Sequence, residues 1–252
     1  MNIIVPIKQV PDLVEELEVD ASGKGLDREW LKLKVNEFDD HALEEALLLK
    51  EENGGTVTVI ALDGEDIDKA LYAAAAKGAD RVVKVTGDFE VPVPNHTAAR
   101  ALADVIKSMD CGLVLTGVQS VEDRDGQLGV LLAHYLGMPH ISVVTHVSVN
   151  GGEVTVHKEY GGGVVAEYEA TAPVVLGIQA ARETPRYVPV AKVRQAMRST
   201  ALEEVAAHAA DAGAGSSVSR MFKPESGGHA EMLQGSAEEV AGKLAEIIKS
   251  KM

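Results

Sequence analysis

Over the first 140 residues, short β-branched runs alternate with longer runs rich in alanine and leucine. Ile3–Ile7, Thr56–Leu62, Arg81–Val85 and Leu113–Thr116 are nearly continuously apolar, the pattern of strands covered on both faces. The longer runs have helical spacing. Asp40–Lys50 places Leu43, Ala46, Leu47 and Lys50 at i, i+3, i+4 and i+7, which directs Glu44 and Glu45 toward solvent. Ile67–Lys77 stops at Gly78, a C-terminal breaker. Thr97–Met109 aligns Ala98, Ala101, Leu102, Val105 and Ile106, and Gln127–Leu136 stops at Gly137 with Pro139 beyond it. Repeated strand–helix–strand units predict an α/β fold with an open, mostly parallel sheet and right-handed crossovers.

The pattern changes after Pro139. Val143–Val149, the turn Asn150-Gly151-Gly152 and Val154–Tyr160 predict an added β-hairpin, which Gly161-Gly162-Gly163 and Val164–Tyr168 extend. Pro173–Gln179 predicts one more buried strand. Arg182–Ser199 reads as a loop with five basic residues and one glutamate. Ala201–Ala214 predicts a short helix, and 215–235 is rich in Gly and Ser. Ser236 then caps a final helix, with Glu239 completing a capping box and Val240, Leu244 and Ile247 forming its apolar face. The expected organisation is an α/β domain over 1–200 and a linker with a C-terminal arm over 201–252 that docks on another subunit.

Composition narrows the function classes. The 252 residues carry 39 acidic and 24 basic side chains, a net charge of −15, whereas sequence-independent nucleic-acid binding needs a cationic face. Apolar residues make up 46%, enough for a packed core, yet no run approaches the roughly 18–20 residues of a membrane span. Met1 leads directly into a strand-like run, so a cytoplasmic location without direct membrane insertion is expected. The single cysteine, Cys111, reads as a small buried filler. Trp30, in a long loop with Leu26, Leu31 and Leu33, reads as the anchor of that loop.

Open parallel sheets bind ligands beyond the C-terminal ends of their strands, so the loops there carry the candidate chemistry. The most informative runs from Gly117 to Gly129. Gly117 lets a ligand approach the backbone. Gly126, Gln127 and Leu128 open a helix with unpaired N–H groups at a positive dipole end, which suits a phosphate. Glu122, Asp123 and Asp125 fit ribose or adenine, or are solvated charges. There is no Walker-type loop, early G-x-G-x-x-G, nucleophile elbow or metal-ligand spacing among the eight histidines. The residues describe a nucleotide-binding fold without a visible catalytic apparatus, which points to a partner.

Five segments, in order and at matching spacing, carry a family resemblance. They are Lys8-Gln9-Val10-Pro11-Asp12, Asn36-Glu37-Phe38-Asp39 leading to Ala42-Leu43-Glu44-Glu45-Ala46, Gly78-Ala79-Asp80, Gly117-Val118-Gln119 with Gly126-Gln127-Leu128-Gly129, and Thr184-Pro185-Arg186-Tyr187. Together they resemble the β subunit of an electron-transfer flavoprotein, from Met1 to the C-terminal helix. The resemblance implies an adenine-nucleotide α-hydrolase-like, Rossmann-like fold. It implies a heterodimer whose α subunit holds most of the FAD, near the β subunit. Electrons would pass from an acyl-CoA-type or other dehydrogenase to a quinone reductase or another acceptor, with no catalytic residue in this chain. It also implies a structural AMP contacted by Pro6, Asn36, Phe38, Leu62, Gly117, Asp123, Gly126, Gln127 and Leu128. Leu13 would face the α-subunit flavin, and Arg182, Pro185, Arg186 and Tyr187 would dock the partner.

The chain departs from the family pattern in three places. Gly126 and Leu128 flank Gln127 where simple mammalian-type members have Asn and Thr. Glu122-Asp123-Arg124-Asp125-Gly126-Gln127-Leu128-Gly129 replaces the Asp-Gly-Asp-Thr-Ala-Gln-Val-Gly run of bifurcating members, in which a second FAD takes the AMP place. Arg182 occupies the position of a leucine anchor that would contribute about 1.5–3 kcal/mol in an apolar pocket. Arginine fills such a pocket only with a carboxylate partner, so a different dehydrogenase, or docking shifted to Val188, Val190 or Val193, is expected. The competing readings are a bifurcating β subunit and a stand-alone module of the universal-stress kind.

Overall fold

The structure, a computed structural model, describes residues 1–89, 93–207, 217–224, 227 and 230–252. The chain opens with β1 (Asn2–Pro6), β2 (Gln9–Pro11), β3 (Leu33–Val35) and α1 (Glu37–Asn53). It continues through β4 (Thr56–Leu62), α2 (Ile67–Lys77), β5 (Arg81–Thr86), α3 (Asn95–Ile106), β6 (Leu113–Gly117) and α4 (Gln127–Leu136). The second half holds β7 (His140–Val144), β8 (His146–Asn150), β9 (Glu153–Tyr160), β10 (Val164–Thr171) and β11 (Val174–Ile178). Then come α5 (Val190–Ser199), β12 (Leu202–Ala206) and α6 (Ala237–Lys251).

Seven strands form one parallel sheet in the order β12-β5-β4-β1-β6-β11-β7. Successive side chains of a strand face opposite ways, and this sheet is covered on both faces. Ile3 and Val5 of β1 pack with α1 and α2, while Ile4 packs with α3 and α4. The same split sends Leu113 and Leu115 of β6 to one side and Val114 to the other. Continuous apolar runs therefore encode strands with two buried faces.

The strand order reverses around β1, with β4 on one side and β6 on the other. Such a switch point opens a crevice beyond the strand ends. A second sheet, β10-β9-β8, is antiparallel. Val147, Val154 and Val156 join the core, whereas Val164, Val165 and Tyr168 of β10 are exposed.

Four sequence expectations need correction. Val143–Val149 is two strands: Val143 has a left-handed φ of 64°, and the kink leaves β7 in the large sheet while β8 starts the small one. Leu202–Ala206 is a strand, not helix. It completes the free edge of β5 in parallel register, where Arg81 and Lys84 pair with Glu203 and Glu204. The sheet thus runs past residue 200, and the rest of the helix expected to Ala214 lies, from 208 onward, outside the described residues. The second half of the supposed loop 182–199 is helix α5. Trp30 is 83% exposed, so among the described residues it is not the buried anchor of its loop.

Candidate functional site

Three loops meet beyond β1 and β6. The Asn36 N–H donates to the Lys8 carbonyl at 2.9 Å, and the Asn36 amide Nδ2 donates to the Gln119 carbonyl at 2.9 Å. One buried residue before α1 therefore ties together the loops that follow β1 and β6, the first through its backbone and the second through its side chain. Asp39, in the first turn of α1, is also buried. Its Oδ2 accepts the Lys8 N–H at 2.9 Å and its Oδ1 accepts the Gly117 N–H at 3.2 Å. Burial pushes the Asp39 carboxyl up to about 6, against the opposing pull of these donors, of Asn36 and of the Lys8 charge.

Gly117 is required for a reason different from the one its position suggests. A Cβ there would lie 2.3 Å from Asp39 Oδ1 and 2.8 Å from the Asp39 nitrogen. What approaches this glycine is the first turn of α1, packed against the end of β6.

The entry to α4 is also set by sterics. Gly126 has a φ of 63°, and a Cβ would meet the Val118 carbonyl oxygen at 2.4 Å. Asp123 folds the loop: its carbonyl accepts the Ser120 and Gly126 N–H groups, and its Oδ2 accepts the Gln127 N–H at 3.1 Å. Two donors expected to be unpaired are thus already engaged. The next donors of the turn, at Leu128 and Gly129, are those that helix geometry leaves without an intrahelical acceptor. Asn95, which starts α3, completes the wall.

The resulting cleft has a volume of about 280 Å³ including its open mouth. Asn36, Gly117, Asp123, Gly126 and Leu128, all expected from the sequence, line it. Pro6 ends β1 and is buried, Phe38 sits in the first turn of α1, Leu62 ends β4, and Gln127 is exposed at the start of α4. None of these four is a lining residue. Lys8, Asp39, Asn95 and Ser120 line the cleft without having been singled out. Lys8 and Asp39 stood within the quoted motifs, while Asn95 needs the tertiary fold to reach the site.

Electrostatically the cleft is mixed. The N-termini of α1, α3 and α4 converge on it, each offering N–H groups and a positive dipole end. The Lys8 ammonium lies 2.9 Å from Glu122 at the rim. Such a site suits a ligand that combines an anionic group with hydroxyl or amine donors. The arrangement is one that positions such a molecule.

The basic segment is not the free cationic surface that its sequence suggests. Arg182 donates from Nε to Glu45 at 2.8 Å and from its two terminal nitrogens to Glu52 at 2.7 and 3.2 Å. Arg186 donates from Nε and a terminal nitrogen to Glu44 at 2.8–3.0 Å and from the other to Glu51 at 2.8 Å. Glu45 and Glu44 also accept the backbone N–H groups of Arg182 and Arg186. Both glutamates are buried, against the expectation that they face solvent. The hydrogen bonds that the Arg186 guanidinium donates to Glu44 and Glu51 hold it firmly protonated. Tyr187 is 84% exposed, and Val190 and Met197 of α5 are exposed beside Lys192, Arg194 and Arg198. Of the alternative anchors, Val190 is the most exposed, while Val188 and Val193 are half-buried.

Two further surfaces stand out. Leu13 and Val14 are exposed in the loop after β2. Nearby, the Met221 N–H donates to the Gly23 carbonyl at 2.7 Å, and Lys223 pairs with Glu16 and Glu18, so this part of the C-terminal arm lies along the loop. The capping box at Ser236 and Glu239 forms as the sequence predicts, yet no residue of α6 is buried, and Leu244, Ile247 and Ile248 are exposed. Among the described residues no helix is long and apolar enough to cross a membrane.

The structure is a Rossmann-like fold with a cleft at its switch point and exposed apolar surfaces, and comparison with known proteins gives the family. Residues 25–210 match the family model described as the electron transfer flavoprotein domain. The chain is 34% identical over 259 residues to the electron transfer flavoprotein subunit beta of Methylophilus methylotrophus, covering 98% of each chain. It is 27% identical over 257 residues to the subunit of the same name from Bacillus subtilis, covering 99% of this chain and 98% of that one. With that from Clostridium acetobutylicum it shares 34% identity over 197 residues, 77% of this chain and 74% of the relative. The chain belongs to the electron transfer flavoprotein family, on the side of its β subunits, and its work is electron transport in association with flavin.

Proposed function

We propose that this chain is the β half of an αβ electron carrier that accepts electrons from a dehydrogenase and passes them to a quinone reductase or another acceptor. The FAD is held mainly by the α subunit, and the chain itself is a cytoplasmic scaffold without catalytic residues. Its cleft holds AMP as a structural ligand. The phosphate meets the Leu128 and Gly129 N–H groups at the start of α4. Asn36, Gly117, Asp123, Gly126 and Gln127 shape the rest, with Pro6, Phe38 and Leu62 behind them. Leu13 faces the flavin, and the arm over 201–252 wraps the α subunit with α6 as its terminal clasp. The segment from Arg182 through Pro185, Arg186 and Tyr187 to α5 meets the dehydrogenase. The observation that supports the reading most is the convergence of three helix N-termini on a cleft at the switch point of the sheet.

The decisive measurement is the nucleotide content of the heterodimer after denaturation, identified by mass. One FAD and one AMP per pair are expected. Two FAD per pair would instead make it a bifurcating subunit. A colourless homo-oligomer that needs no partner would overturn the reading.

A further inference from the structure

The cleft and the docking segment are built on the same helix. The start of α1 carries Asn36 and Asp39 at the cleft. Its following turns carry His41, Glu44, Glu45, Glu51 and Glu52, and the two carboxylate pairs, 44 with 51 and 45 with 52, are each two turns apart on one face. Between Ile178 and Val190 the chain forms no helix or strand. The pose of this stretch is set largely by α1, through its two guanidiniums and three backbone amides. His41 Nδ1 accepts the Ala181 N–H at 3.2 Å, and Glu45 and Glu44 accept those of Arg182 and Arg186. Arginine suits this role because its planar fork grips two carboxylates at once, which an ammonium cannot do.

We propose that α1 couples the two places: a nucleotide in the cleft, by fixing the first turn of α1, orders the segment 181–189 that leads into α5, and the two arginine clamps transmit that order. The proposal rests on reading the cleft as an adenine-nucleotide site. It requires no displacement, because stilling one element lowers the cost of ordering the element attached to it. Arg182 and Arg186 are then positioning residues, and the cations left to meet a partner are Lys192, Arg194 and Arg198.

Hydrogen–deuterium exchange on the heterodimer, stripped of nucleotide and then given AMP, tests this. AMP is expected to slow exchange at 117–129 and, by about threefold or more, at 181–189. In the double variant Glu44→Gln, Glu45→Gln, which keeps the acceptors and removes the charges, AMP should protect only 117–129. Arg186→Lys is the second variant should that one fail to fold, and it should lose most of the remote protection. Protection at 117–129 without any at 181–189 in the native protein would overturn the coupling and leave the cleft reading standing. Remote protection undiminished in the variants would overturn the role of the clamps. No protection at 117–129 would defeat the cleft reading, and the coupling with it.

Discussion

The two sheets of this molecule use similar residues to opposite ends. In the large parallel sheet, every residue of β6 and β11 is buried, and both faces are covered by helices of the same chain. In the small antiparallel sheet, one row of valines reaches the core while β10 leaves Val164, Val165 and Tyr168 in solvent. The exposed Leu244, Ile247 and Ile248 of α6 extend that contrast. The first region is finished by its own chain. The second presents apolar area of the kind that marks an interaction surface, and in this family the α subunit is the candidate to cover it.

The largest effect should come from a bulky residue at the seam of the finished region. Gly117→Val forces a side chain into the backbone of α1 and is expected to cost about 4 kcal/mol or more in urea unfolding. Gly162→Ala, in the turn between β9 and β10, meets nothing within 4 Å and strains only a φ of 78°, so a loss of about 1 kcal/mol is expected. Similar losses at the two positions would erase the contrast.

Next in size is the clamp. Arg186→Ala leaves the buried Glu44 carboxylate without its cation and should destabilise the chain by about 3 kcal/mol at neutral pH, less than a fully buried pair because Arg186 is partly solvated. The loss should shrink in a Glu44→Gln background, where no carboxylate is stranded. An equal loss in that background would mean that packing, not charge, holds the segment.

A smaller effect is tied to pH. Burial raises the Asp39 carboxyl from 3.8 to about 6, so the folded state binds the extra proton. The resulting stabilisation is fully present below pH 3.8 and is lost as pH rises through 6, on the order of 2–3 kcal/mol. His140 acts in the opposite sense. Its pKa is lowered by burial and by Lys158, and its buried Nε2 has no hydrogen-bond partner among the described residues, so its contribution is present above pH 6.5 and lost as pH falls. Urea titrations of wild type and Asp39→Asn between pH 4 and 8 should converge toward low pH, where both side chains are neutral, and separate above 6, with wild type losing stability. A parallel offset across that range would refute the assignment.

The smallest effect on this chain alone should come from the unfinished region. Leu244→Asp with Ile248→Asp should change its stability by less than about 0.5 kcal/mol, because neither side chain is buried. The same variant should weaken co-elution with the α subunit on size exclusion, and unchanged pairing would remove α6 from the interface.

Thr56–Leu62, Ile67–Lys77 and Gln127–Leu136 were legible to the residue, because local pattern and a following glycine mark them without reference to the rest of the chain. The capping box at Ser236 was legible for the same reason. Leu202–Ala206 was not: its alternation of apolar and acidic residues is compatible with helix, and the vacant edge of β5 decides for strand. Glu44 and Glu45 were misread because helical periodicity identifies the apolar face of α1 and cannot foresee arginines 137 and 142 residues further on. Asn95 reaches the cleft only when α3 is packed beside α4. The segments that carry the family resemblance were readable because each is a contiguous strand-end loop.

By itself the sequence determined the alternation of strand and helix, the two buried faces of the large sheet, the loops that bear the cleft and the family. These depend on spacings within a few residues, where covalent geometry fixes which side chains share a face. Only the tertiary structure decided that Asp123 occupies donors at the start of α4, that Gly117 serves the packing of α1, and that the basic segment is held by buried carboxylates. Each of those outcomes pairs groups far apart along the chain. The energy of such a pair depends on burial and distance in space, which no local pattern records.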